Sequence, residues 1–148
     1  MSINGRTDEQ VWRLLGDLSS DIYSMGVHRE ASITANTPFF LAECRRKTFH
    51  KAFYLDISLS STFSRPPRIL RRYSDCRMPL NLADEEVLAG PLELEQAYTK
   101  LSPEGWNQEG KYFPTSSIRL RSMAAQVREA ILEYELRPMT NEAIAELE

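Results

Sequence analysis

The residues of this chain with the most chemical potential are its arginines. Five of them, Arg65, Arg68, Arg71, Arg72 and Arg77, fall within SRPPRILRRYSDCRMPL, Ser64 to Leu80, beside a single acid, Asp75. Guanidinium groups at that density suit a phosphate backbone. Pro66 and Pro67 argue for another use. A proline pair stiffens the chain and denies helix to the residue before each ring. Arginines that read DNA come from a helix, a ribbon or a flexible arm. Here apolar Ile69, Leu70 and Tyr73 interleave with the cations. The stretch is therefore expected to fold back on its neighbours as an internal brace. Its arginines would pair with Asp56 or with the acids between Asp84 and Glu109. Asp56 sits between Leu55 and Ile57, and a carboxylate in such company needs a partner. Arg45, Arg46 and the proline stretch are the candidates.

Catalytic chemistry has little to work with. His28 and Arg29 follow Gly26 at a helix end, where such residues satisfy carbonyls and the helix dipole. No nucleophile or carboxylate pair is spaced to use His28 as a general base. His50, next to Lys51, is expected to be a partly exposed helix residue. The cysteines Cys44 and Cys76, with two histidines, are too few for a four-ligand zinc site or a disulfide framework. Arg45, Arg46 and Lys47 read as a cationic helix face paired with acids such as Glu43, in preference to an import signal or a DNA patch. No catalytic, metal-binding or DNA-contacting residue is assigned, and the chain is not expected to be an enzyme.

The elements that position these residues are helices. Val11, Leu14, Leu15, Leu18, Ile22 and Met25 recur at helical spacing after a cap at Thr7 or Asp8, and Gly26 is a natural stop. VHREASITANT is polar and loop-like. Thr37 and Pro38 suit the start of a long helix carrying Leu41, Cys44, Thr48, Ala52, Leu55, Leu59 and Phe63 on one face. Phe40, Phe49, Phe53 and Ile57 widen that face, so the helix is buried on more than one side. Residues 64–114 hold six of the eight prolines and three of the six glycines. Asp84 is expected to cap a short helix there. A last long helix places Leu120, Met123, Ala124, Val127, Ile131 and Tyr134 on one apolar face and ends at Arg137-Pro138. The expected helices are about 7–26, 38–63, 84–89, 92–101, 115–137 and 140–147. No alternation of strand length, glycine-rich phosphate loop or repeat occurs. The class is all-α, a helical bundle-like arrangement with a Pro/Arg-rich irregular segment in the middle.

Composition agrees. A chain of 148 residues with 42% apolar and 26% charged residues is one domain or part of one. Its net charge of −3 gives no global attraction to nucleic acid. No apolar run approaches the ~20 residues that cross a membrane, and MSINGRTDEQ lacks a signal pattern. A soluble, intracellular protein with no membrane partner is expected.

Read in order, the segments resemble a known family. VWRLLGDLSSDIYSMGVHRE is similar to a helix ending in a Gly-hydrophobic-His-Arg step. PFFLAECRRKTFHKAFYLDISLSSTFSRPPRI resembles a Glu-x-Arg-Arg helix, a Tyr-x-Asp step and an Arg-Pro-Pro turn. RRYSDCRMPLNLADEEV resembles the segment that follows, and LSPEGWNQEGKYFPTSSIRLR sits where such proteins continue. Together they resemble the middle homology region of fungal zinc-cluster transcription factors, the fungal-specific transcription factor domain. The resemblance implies an all-α regulatory domain acting in the nucleus. Glu43, Arg45, Arg46, Asp56, Arg65, Pro66 and Pro67 would be its structural signature. Ser64 stands where the family usually has glycine. The family's zinc cluster needs six closely spaced cysteines, so zinc and DNA contact belong to a module not found in this chain. The chain is accordingly expected to be a partial domain. Its implied partners are the other part of a transcription factor or a homologous subunit, and a small-molecule effector, with DNA reached only indirectly. The alternative is a stand-alone helical protein that associates with a full-length relative and modulates it.

Overall fold

A computed structural model describes residues 3–138. Six α-helices follow in order: α1 (Ile3–Ser24), α2 (Glu30–Thr34), α3 (Phe39–Phe63), α4 (Asp84–Val87), α5 (Pro91–Thr99) and α6 (Pro114–Glu135). One 3-10 turn, Arg71–Tyr73, lies in the proline stretch. The described residues form no strand; Leu101 and Asn107 make an isolated bridge. The fold is all-α. The expected 140–147 helix lies outside the described residues.

Local chemistry explains the ends, and corrects several expected ones. Helix α1 starts at Ile3, so Thr7 and Asp8 lie within it. It stops before Gly26, whose φ of +68° is open to glycine at little cost. The segment expected to be loop contains α2, docked on α3 through fully buried Ile33. Pro38, not Thr37, precedes the first residue of α3. Asp84 is the first residue of α4 rather than its cap. There the Glu86 carboxylate accepts the Ala83 N–H at 2.9 Å. Pro91 and Pro114 open α5 and α6, where a missing N–H costs nothing. The end of α3 is a Schellman turn: Arg65 N–H reaches Ser60 O at 3.0 Å and Ser64 N–H reaches Ser61 O at 3.4 Å. Ser64 takes the left-handed position at φ 51°, which glycine would occupy more easily.

Helix α3 is central, with α1, α2, α4 and α6 all packed on it. One core joins Ile22, Ile33, Phe53, Ile57, Ile69 and Leu132. A smaller one joins Leu82, Val87 and Ala97, with Phe39 and Leu94 against it. Burying each such large side chain contributes about 1.5–3 kcal/mol. The apolar faces are only in part the ones the spacing marks: Leu15 and Ile22 of α1 and Phe49, Ala52, Phe53 and Ile57 of α3 are buried as expected. On α3, Leu41, Cys44, Thr48 and Leu55 are exposed, and the buried stripe runs through Glu43, Phe49, Phe53, Asp56 and Ser60. On α6 the inward face is Thr115, Ser116, Arg119, Ser122, Ala125 and Leu132. The expected apolar face points outward: Leu120 is 53% exposed, Val127 63%, Ile131 50% and Tyr134 64%.

Candidate functional site

The residues expected as a structural signature are not gathered into a cleft. Glu43, Arg45, Arg46 and Asp56 lie on α3 and brace neighbouring segments, and Arg65, Pro66 and Pro67 form the turn after it. Helix α3 presents Glu43, Arg46 and Asp56 inward because each finds backbone or charged partners there. Glu43, fully buried, accepts the Leu80 N–H at 2.8 Å and Arg46 Nη1 at 2.5 Å. Arg46 also forks onto Glu30 of α2. Glu30 in turn accepts the Arg77 N–H at 3.0 Å, and its own N–H donates to Asp75 Oδ1 at 2.8 Å. Burial pushes the Glu30 carboxyl up, but the Arg46 and Arg77 bonds outweigh it and hold it below the usual value. Burial likewise opposes charge on Arg46, and its two carboxylates raise it. Arg45 closes the far end of α2, donating to Ser32 O at 3.3 Å, Ile33 O at 3.2 Å and Thr37 Oγ1 at 2.9 Å.

Asp56 clamps the proline turn. Its Oδ2 accepts the N–H groups of Arg68 at 2.8 Å and Ile69 at 2.6 Å. Oδ1 is buried with no partner among the described residues. Burial raises the Asp56 pKa, offset in part by those two N–H groups. Pro66 is exposed and Pro67 half-buried, which sets the chain's direction back across α1. Arg65 lies over Trp12 and Phe63, at 5.1 and 5.7 Å from the ring centroids. Arg68 stacks 4.3 Å from the Trp12 centroid and donates to Trp12 O at 2.8 Å.

The arginine stretch thus lies back on the fold, with half-buried Arg68 and exposed Arg65, Arg71, Arg72 and Arg77, and with other partners than the spacing suggests. Among the described residues no arginine side chain hydrogen-bonds Asp56, although the charge of Arg68 favours its ionised form. The acids beyond Asp84 pair with lysines instead: Asp84 with Lys47 at 2.8 Å, Glu86 with Lys100 at 3.2 Å and Glu109 with Lys111 at 2.7 Å. Arg71 and Arg72 meet α6, through Gln126 at 2.6 Å and Glu133 at 3.1 Å. The reason is geometric. The turn at Pro66 sends the stretch across α1 and α6, away from the acidic segment.

His50 corrects an expectation outright. It is 5% exposed and links three parts of the chain. A carbonyl only accepts, so Nε2–H donates to Arg77 O at 3.0 Å, and Nδ1 accepts the Ser122 hydroxyl at 2.7 Å. Burial holds its pKa below the ordinary value. Arg119 went unnoticed in the sequence. It is 3% exposed, donates to Pro79 O and Glu104 O at 2.6 Å each, and lies 4.2 Å from the Trp106 centroid. The small residues Ser122 and Ala125 on the same face were the available signal, since they admit a close neighbour. His28 packs on Tyr23 at 5.0 Å, and its carbonyl accepts from Ser74 and Asp75. Cys44 and Cys76 are free thiols, and burial pushes Cys76 up to about 12. Among the described residues no group of three His, Cys, Asp or Glu side chains is placed to hold a metal.

This geometry is a scaffold, and comparison with known proteins says of what. The fungal specific transcription factor domain matches residues 2–126. The chain belongs to that family. It is 27% identical over 140 residues to the pyrrolocin cluster transcription factor fsdR of a fungal species (strain NRRL 50135), covering 93% of this chain and 17% of that protein. It is 27% identical over 110 residues to the C6 finger domain transcription factor hasF of Aspergillus fumigatus (strain CBS 144.89 / FGSC A1163 / CEA10), covering 72% of this chain and 14% of that one. No solved structure matches. The chain thus spans less than a fifth of the length of these relatives. It is a regulatory domain of a fungal transcription factor, and its relatives are transcription factors rather than enzymes. The family implies a nuclear role. No helix among the described residues is long and apolar enough to cross a membrane.

Proposed function

We propose that this domain tunes transcription in the nucleus without touching DNA. A zinc-cluster module outside these residues supplies the DNA contact and holds the zinc. The domain answers to that module, to a homologous subunit or to a small-molecule effector. The observation that carries this is the use of the arginines: Arg45, Arg46, Arg68 and Arg71 are directed onto backbone and side chains of the fold itself. A nucleic-acid surface needs such groups free for phosphate. The test fuses the chain to an unrelated DNA-binding domain in a fungal reporter strain. The fusion is expected to change reporter output, and the unfused chain to give no mobility shift with duplex DNA. A shift whose affinity falls steeply with salt, lost on charge removal in the 64–80 stretch, overturns the reading.

A second reading, a free-standing binding protein that modulates a full-length relative, is favoured by one observation. The outer face of α6, from Leu120 to Tyr134, is apolar and uncovered among the described residues. The reporter fusion and the mass of the chain mixed with the matching region of a relative together separate the two. Stable hetero-association with a fusion that leaves reporter output unchanged supports the second reading.

A further inference from the structure

Beside the brace, α3 and α6 part to leave a half-open cavity of about 440 Å³. Its walls are apolar: Tyr54 and Leu55 from α3, Pro114 and Ile118 from α6. Two cations, Lys51 and Arg121, stand on its lining, and no acid does. Neither cation makes an ion pair among the described residues; Arg121 lies 5.5 Å from the Tyr54 ring centroid. No acid stands three or four residues from either on its own helix, where one would neutralise it. His50 also lines the cavity, uncharged and with both nitrogens already engaged. On the far side of Leu55 the apolar wall continues into a groove of about 340 Å³ lined by Leu14, Leu18 and Leu59.

A cavity of this size takes a drug-sized molecule, and apolar walls with a few convergent polar groups are the usual make-up of such a site. Two unpaired cations beside an apolar wall select charge of one sign, with the guanidinium able to fork onto a carboxylate. We propose that this cavity binds a small amphipathic organic anion. Its carboxylate would lie between Lys51 and Arg121, and its apolar body along Tyr54, Leu55 and Ile118. Because the walls belong to α3 and α6, occupancy would fasten α6 to the brace. The inference deepens the effector reading above and rests on it for biological meaning.

Decanoate, below its micelle concentration, and the uncharged decan-1-ol are the probes, titrated into the whole purified chain by heteronuclear NMR. Decanoate is expected to move the resonances of Lys51, Tyr54, Ile118 and Arg121 and to bind roughly tenfold more tightly than the alcohol, the gain open to two partly exposed cations. In Lys51→Gln/Arg121→Gln, both exposed positions, that preference disappears while the melting temperature holds. Leu55→Trp, filling the wall, removes binding of both probes. Equal affinities in the wild type, no saturable binding, or shifts confined to the outer face of α6 would overturn the proposal. The reporter fusion is read separately. A fusion that regulates while decanoate fails to bind sinks the cavity and leaves the regulatory reading standing. Decanoate binding to a fusion without effect does the reverse.

Discussion

Arg46 and His50 stand four residues apart on α3, and each ties the irregular segment to it by a different chemistry. Arg46 does so through charge, bridging Glu30 and Glu43. His50 does so as a neutral ring, and its neutrality has a pH consequence. Its folded pKa lies below the ordinary 6.5. Between those two values the unfolded chain binds more protons than the folded one, so stability falls as pH falls. The His50 contribution is complete above pH 6.5 and is lost as pH drops toward the folded pKa. Urea unfolding at pH 7.5 and pH 5.5 is expected to show this loss in the wild type. His50→Gln, which keeps a donor and an acceptor, is expected to flatten it. Glu30 acts in the same direction only at lower pH, since its depressed pKa lies below 4.5. Asp56 acts in the opposite direction, since its pKa is raised from 3.8 and its contribution falls as pH rises through that window.

At the scale of elements, Gly16 shows how a helix gives up propensity for a tertiary contact. Glycine within a helix costs about 1 kcal/mol relative to alanine. Here a Cβ would lie 2.4 Å from Arg68 Nη1 and 3.2 Å from its Cζ. The glycine makes room for the guanidinium that stacks on Trp12 and bonds its carbonyl. A charge-assisted bond and a cation–π contact together contribute about 2–3 kcal/mol. Gly16→Ala is therefore expected to destabilise by about 1–2 kcal/mol, the loss of that contact less the helix gain. In an Arg68→Ala background the same change is expected to stabilise by about 1 kcal/mol, since only propensity remains. Denaturant midpoints of the four proteins in this cycle check the reversal of sign. In the sequence Gly16 is a lone interruption in a helical pattern. What it accommodates, Arg68, is 52 residues away along the chain, beyond the reach of any local pattern.

At the scale of the whole molecule, among the described residues four helices pack on α3, while the outer face of α6 is uncovered. Val127 and Ile131, 63% and 50% exposed, lie in the middle of the outer face. An apolar face of this kind favours association over solvent. The isolated chain is expected to show a mass that rises with concentration in light scattering. Val127→Glu/Ile131→Glu is expected to hold it at monomer mass with its melting temperature little changed, because neither side chain belongs to a core.

Helix content and the all-α class were legible in the sequence because both rest on local rules: apolar spacing along α1, α3 and α6, and glycine after α1. That the arginine stretch folds back on the helices was legible too, since Pro66 and Pro67 constrain the backbone wherever they stand. The partners were not. Asp56 holds backbone N–H groups rather than an arginine, and the arginines meet α6 rather than the acidic segment. Nor was the buried face of α6 legible. Periodicity finds two faces and assigns the apolar one to the interior. Here Ser116, Arg119 and Ser122 go inside because Asn81, Pro79 and His50 satisfy their hydrogen bonds. Those partners lie 35, 40 and 72 residues away. Local sequence therefore determined the long helices, though not α2. Only the tertiary structure decided which side of each helix is interior, because a polar side chain is tolerated there once a distant group completes its hydrogen bonds.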